Sequence, residues 1–253
     1  KQHPENQDYY LKLADTYIFY GKLKEAIKVY DNLEKQKGTN RFISITKHRM
    51  YLDLNDIKSA IKEIENIISE FPNDKEVYVL LSDCYILNND FDKAFEVLKK
   101  IVEIDPNDIS VHLSLSDFYH KKGDNKKYFE ELNIAFSSDK LDVQSKIQKI
   151  IPLLEKEENS DSSGHTQLMN LIKILVSVHP ENAMSHYIYA DLLRSNNELD
   201  LALIHYKLVV KYDENQQEAW RELLFLELLN TNYKEVANQS SKALDLFPTN
   251  PLF

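Results

Sequence analysis

The sequence predicts an all-α protein built as a solenoid of about seven helix pairs. Three observations carry that prediction. The pentapeptide LADTY at 13–17 returns as LSDCY at 81–85 and LSDFY at 115–119, so its starts lie 68 and then 34 residues apart. A fixed period of this length marks a repeat array. Within each period the matching positions advance in steps of three or four, the spacing of one helix face. The 253 residues include 4 Gly and 7 Pro, too little turn punctuation for a sheet protein of this size.

Units of 34 start at Gln7, Arg41, Lys75 and Ile109, then at Val143 with six extra residues, at Ala183 and at Gln217. The expected repeats are 7–40, 41–74, 75–108, 109–142, 143–182, 183–216 and 217–250, in one domain over 1–253. In the first helix, the fourth column reads Tyr10, Ser44, Tyr78, His112, Lys146, His186 and Trp220. The eighth is small at Ala14, Ser82, Ser116 and Ala190, and the eleventh is Tyr17, Tyr51, Tyr85 and Tyr119 in the first four units. The second helix has Ala26, Ala60, Ala94 and Ala202 in its twentieth column, with Tyr128 and Val236 as exceptions. Small residues in columns eight and twenty let the two backbones approach. Column fifteen, between the helices, is Gly21, Asn55, Asn89, Gly123 and Asn197, residues that accept the left-handed conformation ending a helix. Asn6, Asn40, Asp74, Asp108, Asp142, Asn182 and Asn250 stand where a first helix needs a cap for its free N–H groups. Pro4, Pro72, Pro106, Pro180 and Pro248, two residues earlier, stop the preceding helix.

The fifth unit departs from the pattern. Pro152 falls inside its first helix, where it removes a backbone hydrogen bond. EKEENSDSSG, 155–164, is expected to be an enlarged, solvated loop, and His165 after it has no ligand spacing. The opening KQHP reads as the tail of an earlier unit and the closing PLF as the start of another, so a longer repeat protein is expected.

A formal charge of −10, with no Lys/Arg cluster longer than a pair, argues against nucleic acid as a partner. No apolar run approaches the roughly 18–20 residues of a membrane-spanning helix. Cys84 is the single cysteine, so no internal disulfide forms, and it is expected to be a small buried side chain. Phosphate-loop, dinucleotide, zinc-protease and paired-cysteine motifs are absent from the sequence. His112 and His186 occupy the aromatic fourth column and are expected to pack between helices. No catalytic residue, cofactor or metal is predicted, and the chain is read as a non-enzyme.

With EVYVLLSDCYILNNDFDKAFEVLKKIVEIDPND at 76–108 as its best segment, the chain resembles the tetratricopeptide repeat family over essentially its whole length. More loosely it is similar to long bacterial proteins of that family, many of them exported lipoproteins. The family resemblance implies a right-handed superhelix and a groove lined by columns 2, 5, 9, 12 and 13 of the first helices. It therefore places the recurring Asp15, Asp83, Asp117 and Asp191, with Arg49, in column nine of that groove. Leu11, Ile45, Val79, Leu113, Ile188 and Arg221 are placed in column five, and Phe42, Phe19, Leu87 and His120 in the remaining lines. The implied function is a protein-interaction scaffold whose apolar and acidic groove holds a peptide or partner with apolar anchors beside Lys or Arg. The alternatives are a spacer stacking through its ends, or the recruiting arm of an enzyme encoded elsewhere. Family members that hold acidic chaperone C-termini use Lys in column five and Asn in column nine. Both are replaced here, so such peptides are not expected to bind. The looser likeness points to a bacterial periplasmic or outer-membrane-associated location, with the cytoplasm as the alternative.

Overall fold

The structure, a computed structural model, describes residues 7–157, 162–250 and 253. The described residues form fourteen α-helices: α1 (Gln7–Phe19), α2 (Leu23–Lys37), α3 (Arg41–Asp53), α4 (Ile57–Glu70), α5 (Lys75–Leu87), α6 (Phe91–Ile104), α7 (Ile109–Lys122), α8 (Asn125–Phe136), α9 (Val143–Glu157), α10 (Ser162–Val178), α11 (Ala183–Ser195), α12 (Leu199–Tyr212), α13 (Gln217–Leu229) and α14 (Tyr233–Leu246). Odd helices are the first of each pair, even helices the second. The chain divides into two compact units, 1–124 with α1–α7 and 125–253 with α8–α14. Among the described residues no helix is long and apolar enough to cross a membrane.

Burial follows the columns. The eighth is buried in all seven pairs (Ala14, His48, Ser82, Ser116, Ile150, Ala190, Leu224), and so is the twenty-seventh, from Leu33 to Ala243. In the first unit, Ala14, Ala26, Tyr30, Leu33 and Ile43 make one cluster and Ile64, Ile67, Val77, Leu81 and Ala94 the next. In the second, Ala190, Leu193, Ala202, Tyr206, Val209 and Trp220 pack together. Each large side chain fully buried this way contributes about 1.5–3 kcal/mol.

The turns inside the pairs share one backbone conformation. Gly21, Asn55, Asn89, Gly123, Asn197 and Thr231 all have φ between 54° and 76°. Five of these six are the Gly or Asn that this region favours. Thr231 is β-branched and strained there. First helices are capped by Asn40, Asp108, Asp142 and Asn182, each accepting the N–H three residues on. Asp74 makes no such bond and pairs instead with Arg41, the first residue of the same 41–74 repeat. Lys75 does the same one repeat later, reaching Asp105 and Asp108.

The fourth column has a job beyond filling space. Tyr78 Oη donates to the Pro72 carbonyl, Trp220 Nε1 to that of Glu214, and the Nε2 atoms of His112 and His186 to those of Pro106 and Pro180. Each bond, 2.8–3.1 Å long, satisfies a carbonyl in the connection between pairs. Lys146 does this for Ser138 at 2.7 Å. In the fifth pair, α9 runs through Pro152 to Glu157 and α10 opens at Ser162, so helix occupies both ends of the 155–164 stretch. Residues 158–161 of that expected loop lie outside the described residues. His165 is not isolated: the Asn196 amide reaches its Nε2 at 2.9 Å.

Candidate partner-binding face

One residue beyond the buried eighth column, the ninth is exposed in every pair: Asp15, Arg49, Asp83, Asp117, Ile151, Asp191 and Phe225. The helix screw dictates this, because a 100° step carries a side chain from the packing seam to the open face. In the first unit this face also leaves large apolar groups in water. Phe19 is 84% exposed, Phe42 70%, Leu87 58%, Ile86 43% and Val79 37%. Leu11, Ile45 and Leu113 are half-buried beside them, and His120 is exposed. Between α6 and α7 a cavity of about 550 Å³ opens on Ile86, Phe91, Phe95, Asp117, Phe118 and Lys121. Its wall is the Phe95–Phe118 stack, with ring centroids 4.2 Å apart. Sequence columns confined to first helices miss Phe91 and Phe95, which come from a second helix.

The aspartates are not equivalent. Where column twenty-four is Tyr, the carboxylate meets a phenol of its own repeat: Asp15 pushes the Tyr30 phenol up, after burial, and Tyr206 donates to Asp191 at 3.4 Å. Leu98 occupies that column behind Asp83. There the loss of solvation from the surrounding protein pushes the carboxyl of the surface-exposed Asp83 up, against a smaller opposing pull from His48. Behind this face lies a network absent from the sequence expectations. Lys47, 5% exposed, places Nζ 2.6 Å from Asp31, 2.9 Å from Glu34 and 3.0 Å from Glu63. Lys47 is on α3 and Glu63 on α4, 16 residues apart in sequence, which no spacing within one helix reveals.

In the second unit, α9 and α11 enclose a groove of about 720 Å³. Ile147, Ile151, Leu154, Met184 and Tyr187 line it, with Ile188 as part of its floor. Counted from Ala183, Ile188 is the sixth position, not the fifth, and this is why it is 9% exposed while Tyr187 takes the fifth column. The charges at this face are already matched. Asp191 pairs with Arg194 at 2.9 Å, Arg194 approaches Glu222 at 3.5 Å, and Arg221 binds Glu218 and Glu222 at 2.6 and 3.0 Å. The Asp191–Arg194 spacing of three was the sequence signal for this pairing. Among the described residues no group of three or more His, Cys, Asp or Glu could hold a metal ion.

Residues 51–126 match the tetratricopeptide repeat family. The chain has the fold of a tetratricopeptide repeat solenoid. The C-terminal part of a tetratricopeptide repeat-containing protein from Cytophaga hutchinsonii is similar to it at 15% identity and a TM-score of 0.50, covering 95% of this chain and 96% of that one. A tetratricopeptide repeat protein from Parabacteroides merdae is 12% identical with a TM-score of 0.51, covering 94% and 92%. At such identities the likeness is one of fold. No curated protein matches the sequence. In tetratricopeptide terms, the exposed ninth column and half-buried fifth are the open face of the first helices, and the chemistry on it belongs to this chain.

Proposed function

We propose that this solenoid is a non-catalytic interaction scaffold whose first-helix face takes a protein or peptide segment with apolar anchors beside Lys or Arg. The observation that carries the reading is in the first unit. Phe19, Phe42, Leu87 and Ile86 stand open to water on the same face as Asp15, Asp83 and Asp117. Apolar area left in water gains about 25 cal/mol per Å² when a partner covers it. A cation arriving at Asp83 also relieves a carboxyl that lost solvation holds up. The second unit contributes an apolar groove whose charges are matched internally. Nucleic acid and acidic chaperone C-termini do not fit this face, because the fifth column offers Leu11, Ile45, Val79 and Leu113 and the ninth offers carboxylates.

The test is a crosslinking capture from the native source, comparing the wild type with Asp15→Asn/Asp83→Asn/Asp117→Asn and separately with Asp191→Asn. The expected result is a partner lost in the triple variant and kept by Asp191→Asn. Capture that is indifferent to the triple change, or no capture at low salt, removes the reading.

A further inference from the structure

We propose that Lys146 and His179 form an acid-released clamp that ties α9, one wall of the second unit's groove, to the end of α10. Lys146 is wholly buried in the column where other repeats carry Tyr, Ser, His or Trp. Its Nζ donates to the Ser138 carbonyl at 2.7 Å and to His179 Nε2 at 2.8 Å. An ammonium can only donate, so Nε2 must accept, and the imidazole is neutral with its proton on Nδ1. Nε2 is thereby committed as an acceptor, and Nδ1 holds the ring's one proton. The neighbouring Leu141 backbone favours the charged ring, against the larger opposing effects of burial and Lys146.

A second proton on the ring has one place to go, Nε2. There it replaces an accepted hydrogen bond with two cations 2.8 Å apart. The charged groups facing the pair are Asp139 and Asp142, from the connection between α8 and α9. Asp142 is already engaged by the N–H and hydroxyl of Ser145. Across Pro180 lies a second imidazole pair. His186 of α11 gives Nε2–H to the Pro180 carbonyl, and its Nδ1 lies 2.9 Å from Nδ1 of His205 of α12. Burial and the neighbouring Lys146 hold His179 below the ordinary imidazole range. Burial also brings Lys146 down to about 8, so it still carries the shared proton at neutral pH.

The linkage has a definite sign. A histidine with a lowered folded pKa stabilises the fold fully above its unfolded value near 6.5. That contribution is lost as pH falls from there through the folded value. The residues that follow Lys146 on α9, Ile147, Ile151 and Leu154, line the groove. Release of the clamp therefore loosens that wall first. The release itself does not depend on what the groove binds.

The experiment uses the whole chain: NMR of the imidazole nitrogens from pH 8 to 4.5, with amide exchange across α9, for the wild type and His179→Gln. A Gln carbonyl still accepts from Lys146 but does not titrate. The expected wild-type result is a neutral Nδ1–H tautomer at His179 that takes a proton below 6.5. Opening of α9 should rise about tenfold for each pH unit between 6.5 and that midpoint. His179→Gln should keep α9 protected at pH 7.5 and lose the acid step, with the His186–His205 pair present in both proteins. Titration at 6.5 or above, an Nε2–H tautomer, or the same acid step in His179→Gln overturns the proposal. If the variant does not fold, the wild-type tautomer and titration decide alone.

Discussion

Removing the Lys47 charge should be among the most damaging single changes in the first unit. Lys47→Met keeps the aliphatic stem and deletes the ammonium. It leaves Glu63 and Glu34, with side chains 10% and 14% exposed, facing each other and Asp31 with no cation between them. Breaking a buried ion pair from one side costs roughly 3–5 kcal/mol, and with two buried acids stranded we expect about 4 at pH 7. The loss should shrink in acid. Burial already raises the Glu63 carboxyl and Lys47 is what opposes it. Without Lys47 the folded pKa climbs further above the unfolded value near 4.5, so the folded state gains relative stability as pH falls through it. Urea unfolding followed by circular dichroism at pH 7 and pH 5 measures this. Helix-resolved hydrogen exchange on α3 and α4 guards against unfolding that is not two-state. Lys47→Met/Glu63→Gln should recover at least about 1 kcal/mol, since a neutral amide replaces a stranded charge. A pH 7 loss under about 1 kcal/mol, or no recovery in the double variant, would refute the reasoning.

Three further outcomes follow from the geometry. Thr231 sits at φ 54° where other pairs use Gly or Asn, so Thr231→Asn should stabilise the chain by about 1 kcal/mol in denaturant titrations, and a neutral or negative effect counts against strain there. Trp220→Phe keeps the ring and loses the N–H that satisfies the Glu214 carbonyl 2.8 Å away; roughly 1–2 kcal/mol should be lost, with faster exchange at the start of α13. Cys84 is buried, 3.9 Å from His48, and burial pushes its thiol up to about 11, so an aromatic disulfide reagent should react with it on unfolding only; fast labelling of the native protein contradicts this.

Much of the fold was legible because a solenoid repeats its physics. A buried Ala or Ser in columns eight and twenty, a left-handed turn at fifteen and an acid or amide before each first helix report local demands that recur every 34 residues. Repetition makes such demands visible in a single sequence. Repetition made the ninth-column aspartates visible, but their place on the open face came from the family resemblance. What the repeat could not show is whatever differs between neighbours. Asp191 is neutralised by Arg194 and Asp83 is pressed by lost solvation, although both occupy one column. The Lys47 network and the Lys146–His179 pair join residues far apart in sequence, and neither belongs to the shared pattern. Thr231 escaped notice because its side chain disguises a backbone conformation that Gly and Asn announce.

The fourth-column donors have one more consequence. Tyr78, His112, Lys146, His186 and Trp220 present phenol, imidazole, amine and indole to the same kind of carbonyl from the same rung of a helix. The chain thus contains its own substitution series, with acidity and size varied: four donors reach the carbonyl six residues back and Lys146 the one eight back. Grafting one rung's side chain onto another would read the worth of each donor directly. The same interchangeability explains how such an array tolerates divergence: what is inherited from rung to rung is a bond to be made, and several chemistries can make it.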